Sequence, residues 1–127
     1  MRFRYTILYV DDVTKTIEFY ERAFGFQRKM IHECGDYGEL ATGDTILSFS
    51  SKELMRKIGK SPGDAVPSAP TFEIAFETED VGGQLKRAIE AGAKLVQEAE
   101  DMAWGQTTAY VRDINGFLVE FCTAVSP

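Results

Sequence analysis

The alternation of apolar and polar positions is cleanest near the end of the chain, from Gly116 to Thr123. Phe117, Val119 and Phe121 fall on one side and Leu118, Glu120 and Cys122 on the other, the period of two of a half-buried strand. A similar run rich in β-formers, Tyr5 to Val10, opens the chain. Asp11-Asp12 ends that run and supplies an acidic cap for a helix over Val13 to about Phe24, with Val13, Ile17, Tyr20 and Phe24 at helical spacing. Gly25 stops it. Phe26–His32 and Gly38–Ala41 read as strands around a Cys34-Gly35-Asp36 turn, and Thr42-Gly43-Asp44 turns into a strand over Thr45–Ser50. The order is βαβββ.

The pattern then lapses and restarts. Residues 52–70 form a connector of turn chemistry, Ser61-Pro62-Gly63-Asp64 and Pro67-Ser68-Ala69-Pro70, with a short helical turn expected over Lys52–Ile58. Phe72–Thr78 reads as a strand, Glu79-Asp80 repeats the acidic cap, and Val81, Leu85, Ala88 and Ile89 make a helical stripe. Ala91-Gly92-Ala93 repeats the glycine stop, and strands follow over Lys94–Gln97 and from Thr107 to Val111. Asp113-Ile114-Asn115-Gly116 turns into the last strand. Asp12-Val13 aligns with Asp80-Val81, Gly25 with Gly92, and Ser48 with Glu120, at an offset of about 70 residues. The expected organisation is one domain over 1–127: a first module at about 4–51, the connector, and a second module at about 71–124.

Composition narrows the function. Fourteen basic and 20 acidic residues give a net charge of −6, and no basic run occurs, which argues against nucleic acid or an anionic membrane surface as partner. Met1-Arg2-Phe3-Arg4 leads directly into a strand rather than a signal peptide, and Cys34 and Cys122 lack paired spacing, so a reducing cytoplasm is expected. Cys122 reads as a small core or pocket-wall residue. Glu120 is the anomaly: a carboxylate in the middle of an apolar strand must find a donor, a cation or water.

Certain phrases carry a family resemblance. They are Tyr5-Thr-Ile-Leu-Tyr-Val-Asp-Asp-Val13, Phe19-Tyr-Glu-Arg-Ala-Phe-Gly-Phe26, Trp104-Gly-Gln106 and Val111-Arg-Asp-Ile-Asn-Gly-Phe-Leu-Val-Glu120. With the doubled βαβββ unit, the chain resembles the vicinal oxygen chelate superfamily. That group includes glyoxalase I, bleomycin-resistance proteins, fosfomycin-resistance transferases and extradiol dioxygenases. The resemblance implies an α+β fold of two tandem βαβββ modules, a curved mixed sheet with a concave cleft and helices on its convex side. It also implies a homodimer.

The alternation assigns Tyr5, Ile7 and Tyr9 in the first strand to the cleft face, with Ser48, Ser50, Glu73, Ala75, Glu77, Glu120 and Cys122. The resemblance places a divalent metal on four strand positions, usually bearing His, Glu or Gln, His and Glu. The positions here are Tyr5, Ser48, Glu73 and Glu120, and only Glu120 matches. Zinc and nickel favour imidazole and thiolate donors. The single histidine, His32, lies at a strand end away from these positions and is assigned a solvated or hydrogen-bonded structural role.

The expected function is therefore metal-independent binding of a small, cationic or aromatic molecule, with no cofactor. Its ligand-binding residues would be Tyr5, Ile7, Tyr9, Ser48, Ser50, Glu73, Trp104 and Glu120. The alternative is a metal-dependent lyase, isomerase or dioxygenase resembling glyoxalase I. There Glu120 and Glu73 would be the catalytic residues and the ligands of a divalent metal, magnesium or manganese rather than zinc or nickel. A third reading is acid–base chemistry by a Glu73/Glu120 pair alone. The missing histidines favour the first.

Overall fold

The computed structural model describes residues 1–125. The chain divides into two compact units, Met1–Asp64 and a second beginning at Ala65. The first contains β1 (Tyr5–Val10), α1 (Val13–Phe24), β2 (Arg28–Ile31), β3 (Tyr37–Leu40), β4 (Ile46–Ser51) and α2 (Lys52–Lys57). The second contains β5 (Glu73–Glu77), α3 (Val81–Glu90), β6 (Lys94–Asp101), β7 (Thr107–Arg112) and β8 (Leu118–Cys122). Each unit builds one four-stranded mixed sheet, in the orders β1-β4-β3-β2 and β5-β8-β7-β6. In both, the first and fourth strands run parallel and the other neighbours antiparallel. The fold is α+β, a tandem repeat of βαβββ.

Local chemistry explains the first unit. Asp12 sits in extended backbone before α1, and its carboxylate accepts from the Lys15 amide at 3.0 Å. Gly25 takes the left-handed conformation at φ 75° and donates to the Glu21 carbonyl, closing the helix. Val13, Ile17, Tyr20 and Ala23 turn to the sheet and are almost fully buried with Phe19, Leu40 and Phe49. Tyr20 lies 5.0 Å from Phe49 between ring centroids and meets Phe19 edge-on. Burying each such side chain stabilises the fold by about 1.5–3 kcal/mol. Gly38 sets the helix spacing: a Cβ there would meet Val13 Cγ1 at 3.1 Å and Ile17 Cγ1 at 3.3 Å. Beyond the sheet, α2 starts on Ser51, whose hydroxyl accepts from the Leu54 amide at 3.0 Å. Lys52 is buried, and its ammonium pairs with Asp11 at 3.2 Å and with Asp64. The hydrogen bond to Asp64 holds its pKa above the usual lysine value.

The second unit repeats the first with two differences from the sequence expectation. Asp80 caps α3 as Asp12 caps α1, accepting from the Gly83 amide at 3.0 Å. However, α3 ends on Ala91 in right-handed helical geometry, and Gly92 at φ 113° follows it rather than forming the cap. The β6 strand also continues to Asp101, beyond the expected Gln97, because irregularities at Leu95/Gln97 and Gln97/Glu100 let it follow β7 without losing its pairing. The β7–β8 turn is fixed by buried Asp113, whose Oδ1 accepts from the amides of Asn115 (2.8 Å) and Phe117 (2.9 Å). Gly116 supplies the positive φ of 89° that this turn requires. Among the described residues, no helix is long and apolar enough to cross a membrane.

Candidate functional site

The pairing register determines which side chains share a face. In the first sheet Tyr5 pairs with Ile46 and Ile7 with Ser48; in the second Glu73 pairs with Leu118 and Ala75 with Glu120. Tyr5 and Glu73 thus hold equivalent places, as do Ser48 and Glu120. Gly38 and Leu40 of β3 are buried on the α1 side, so Tyr37 and Glu39 share the opposite face with Ser50 and Ser48, their cross-strand partners. In the second unit the same face carries Glu73, Ala75 and Glu77 from β5, Thr108 and Tyr110 from β7, and Glu120 and Cys122 from β8.

The anomaly of Glu120 is resolved by a neighbour. Tyr110 lies directly across from it and donates its phenolic O–H to Glu120 Oε2 at 2.7 Å. Burial raises the Tyr110 pKa well above the ordinary phenol value, and the Glu120 and Glu73 carboxylates push it further. The phenol is therefore a neutral donor. Burial also raises the Cys122 thiol, reinforced by Glu120, Glu77 and Glu73, so this cysteine stays protonated and is no nucleophile at neutral pH. Among the described residues no lysine or arginine forms an ion pair with Glu73, Glu77 or Glu120.

The first unit carries a parallel arrangement. The Tyr37 hydroxyl donates to Glu39 Oε2 at 2.7 Å, and burial with the adjacent carboxylate drives its pKa up to about 12 against the opposing effect of Ser48. Ser48 is fully buried and its hydroxyl donates to the Thr6 carbonyl at 3.3 Å. Ser50 is also buried, whereas Tyr5 and Ile7 are roughly half exposed. Tyr9 is already engaged: Lys60 donates to its hydroxyl at 3.2 Å, with the ammonium 5.6 Å from the ring centroid. Glu39 also has Lys29 at 3.8 Å.

Of the expected site residues, Tyr5, Ile7, Tyr9, Ser48 and Ser50 share one face of the first sheet, and Glu73 and Glu120 one face of the second. Trp104 lies at the β6–β7 hairpin tip, exposed, with its indole N–H donating to Gln106 Oε1 at 2.7 Å. Gln106 in turn donates to the Thr123 carbonyl at 2.8 Å, tying that loop to the end of β8. His32 lies beyond β2 in the turn toward β3, its ring edge-on to Tyr37 at 6.0 Å. The sequence reading missed Tyr37, Glu39 and the role of Tyr110 as partner to Glu120. Counting outward from an Asp113–Gly116 turn would set residue 110 opposite 119; the turn instead closes on Asp113 and Phe117, and that one-residue step sets Tyr110 opposite Glu120.

The donor set at the four metal positions does not fit a zinc- or nickel-type centre. Tyr5 and Ser48 offer hydroxyls, Ser48 is buried and bonded to backbone, and Glu120 already accepts a phenolic proton. What the fold defines is a doubled βαβββ protein in which each sheet carries a tyrosine hydrogen-bonded to a carboxylate on one strand face. The family model of the Glyoxalase/Bleomycin resistance protein/Dioxygenase superfamily matches residues 2–121, and the chain belongs to that family. It is 28% identical over 116 residues to the uncharacterized protein YraH of Bacillus subtilis (strain 168), covering 89% of this chain and 91% of that one. It is 30% identical over 115 residues to the uncharacterized protein Mb0911c of Mycobacterium bovis (strain ATCC BAA-935 / AF2122/97), covering 84% and 72% of the two chains. A glyoxalase-related enzyme from Fulvimarina pelagi shares the fold at a TM-score of 0.81 and 19% identity, over 95% of this chain and 86% of its own. TioX from Micromonospora sp. ML1 matches at 0.74 and 23% identity, over 97% and 98%.

Proposed function

We propose that this protein binds a small cationic, aromatic-bearing molecule on the strand face of its modules, without a transition metal. The observation that carries the reading is the group of carboxylates Glu73, Glu77 and Glu120 on one face. Among the described residues no lysine or arginine forms an ion pair with them, and Glu120 is oriented by the neutral Tyr110 phenol. A cation placed there gains charge-assisted contacts with groups that are already ordered. Aromatic side chains suit the flat part of such a ligand, and in the first unit Lys60 over Tyr9 is an internal instance of a cation against a tyrosine. The net charge of −6 steers cations toward the protein, an effect that fades with salt. A reducing cytoplasm suits the two free cysteines, and a symmetric homodimer completes the proposal.

A fluorescent aromatic cation, titrated by anisotropy, tests this reading. Saturable binding that weakens between low and physiological salt is expected. Glu73→Gln and Glu120→Gln should each reduce affinity by about fivefold, the scale of ~1 kcal/mol for one partly exposed charge contact. Equal binding of an anionic dye of the same size would overturn the charge argument. A stoichiometric transition metal lost on Glu120→Gln would overturn the metal-free one.

A further inference from the structure

We propose that the β2–β3 turn is a binding site for a thiophilic divalent cation such as zinc, held by His32, Cys34 and Asp36. One imidazole, one thiol and one carboxylate stand at alternate positions of one tight turn, and a ligand atom from each lies within 4.8 Å of the other two. Ligands on a tetrahedral zinc at about 2.0–2.3 Å stand ~3.5 Å apart.

The turn itself is ordered by three backbone hydrogen bonds. The Gly35 amide donates to the His32 carbonyl at 2.8 Å, the His32 amide to Tyr37 at 2.9 Å, and the Ser51 amide to Asp36 at 2.8 Å. Gly35 at φ 72° makes the reversal that turns positions 34 and 36 back toward 32. The edge of the Tyr37 ring orients the imidazole, and the Tyr37 hydroxyl is fixed in turn on Glu39. The site is thus preorganised on one side and open on the other, since His32 and Cys34 are exposed and need no path cut for the ion.

A cavity of about 390 Å³ adjoins the turn and shares Cys34 and Asp36 with it. Its other walls include Asp11, Asp12, Glu53 and Lys57; Asp11 is paired with Lys52 and Glu53 with Lys57, so the carboxylates of Asp36 and Asp12 are the ones left to favour a cation there. Three protein ligands leave a fourth position free toward that cavity for water or an exogenous ligand. Nitrogen, sulfur and oxygen donors together select zinc, cobalt or nickel over magnesium or calcium, which take oxygen alone. On binding, the thiol gives its proton to solvent and the metal takes the thiolate. None of these residues belongs to the four strand positions, so this site stands or falls separately from the strand-face reading.

The test is cobalt titration of the reduced, chelator-treated full chain, followed by absorption. A thiolate-to-cobalt charge-transfer band in the near ultraviolet saturating at one equivalent, and bleached by zinc, is expected. Cys34→Ser should abolish the band, Cys122→Ser and Glu120→Gln should leave it, and His32→Ala should weaken binding tenfold or more. Because the turn is exposed, circular dichroism of the Cys34→Ser protein should match the parent. Zinc should also slow labelling of Cys34 by a thiol reagent at least tenfold. No band, or one that survives Cys34→Ser, overturns the site. A band that disappears with Glu120→Gln instead would move the metal to the strand face and overturn both this site and the metal-free reading of that face.

Discussion

Glu120 occupies the middle of a strand because a proton donor stands beside it, and the state of that donor is open to measurement. A phenol whose folded pKa is raised keeps its proton in the native state while the unfolded chain ionises at about 10. Above that pH the unfolded state binds fewer protons, so stability falls as pH rises from about 10 through the folded values. For Tyr37 that upper value is about 12, and Tyr110 is raised as well. Tyr37 and Tyr110 should therefore ionise late in a titration followed at 295 nm, and alkaline unfolding should begin within that window. Tyr110→Phe and Tyr37→Phe should each remove one late tyrosine, and all five ionising together near 10 would contradict the assigned contacts. At this scale the sequence was partly legible. Glu120 announced itself by breaking an apolar alternation, but Tyr110 lay in an expected strand with nothing to mark its partner, and Tyr37 fell just before the expected Gly38–Ala41 strand. Their role depends on which residue faces them, which is information about pairing rather than composition.

At the scale of elements, the capping and turn chemistry was the most readable feature. Asp12, Asp80, Gly25 and the Asp113–Gly116 turn each satisfy specific backbone groups, and such needs leave local signatures. Strand ends were less legible, because β6 is extended by irregularities that its neighbour β7 sustains and its own residues do not mark. The Asp113 turn links this scale to the site, since it fixes the register that sets Tyr110 opposite Glu120. Asp113→Ala would leave the amides of Asn115 and Phe117 without that acceptor in a part-buried turn. The expected cost is about 1–3 kcal/mol, read as a lower midpoint in urea unfolding with little change in slope. A midpoint within error of the parent would show that the hairpin holds its register without this side chain.

For the whole molecule, the repeat was legible because both halves reuse the same caps and alternation, and the family phrases span both. The ligand was not, since one architecture hosts many chemistries and specificity rests on a few side chains. Assembly follows from what the sheets leave open. Strands β1 and β2 border one sheet and β5 and β6 the other, and among the described residues none has a second strand partner within its sheet. Apolar side chains remain exposed on these borders: Ile7 at 44%, Leu95 at 47% and Val96 at 43%. Unprotected edges with apolar side chains are a liability that proteins cover, and a second copy of the chain is the commonest cover. A stable symmetric interface takes about 600–1,000 Å² from each partner, a modest share of the 7765 Å² that one chain exposes. Sedimentation equilibrium at micromolar concentration should then give twice the 14.2 kDa chain mass, returning toward the monomer on dilution by mass action. A single 14.2 kDa species throughout that range would rule out the homodimer.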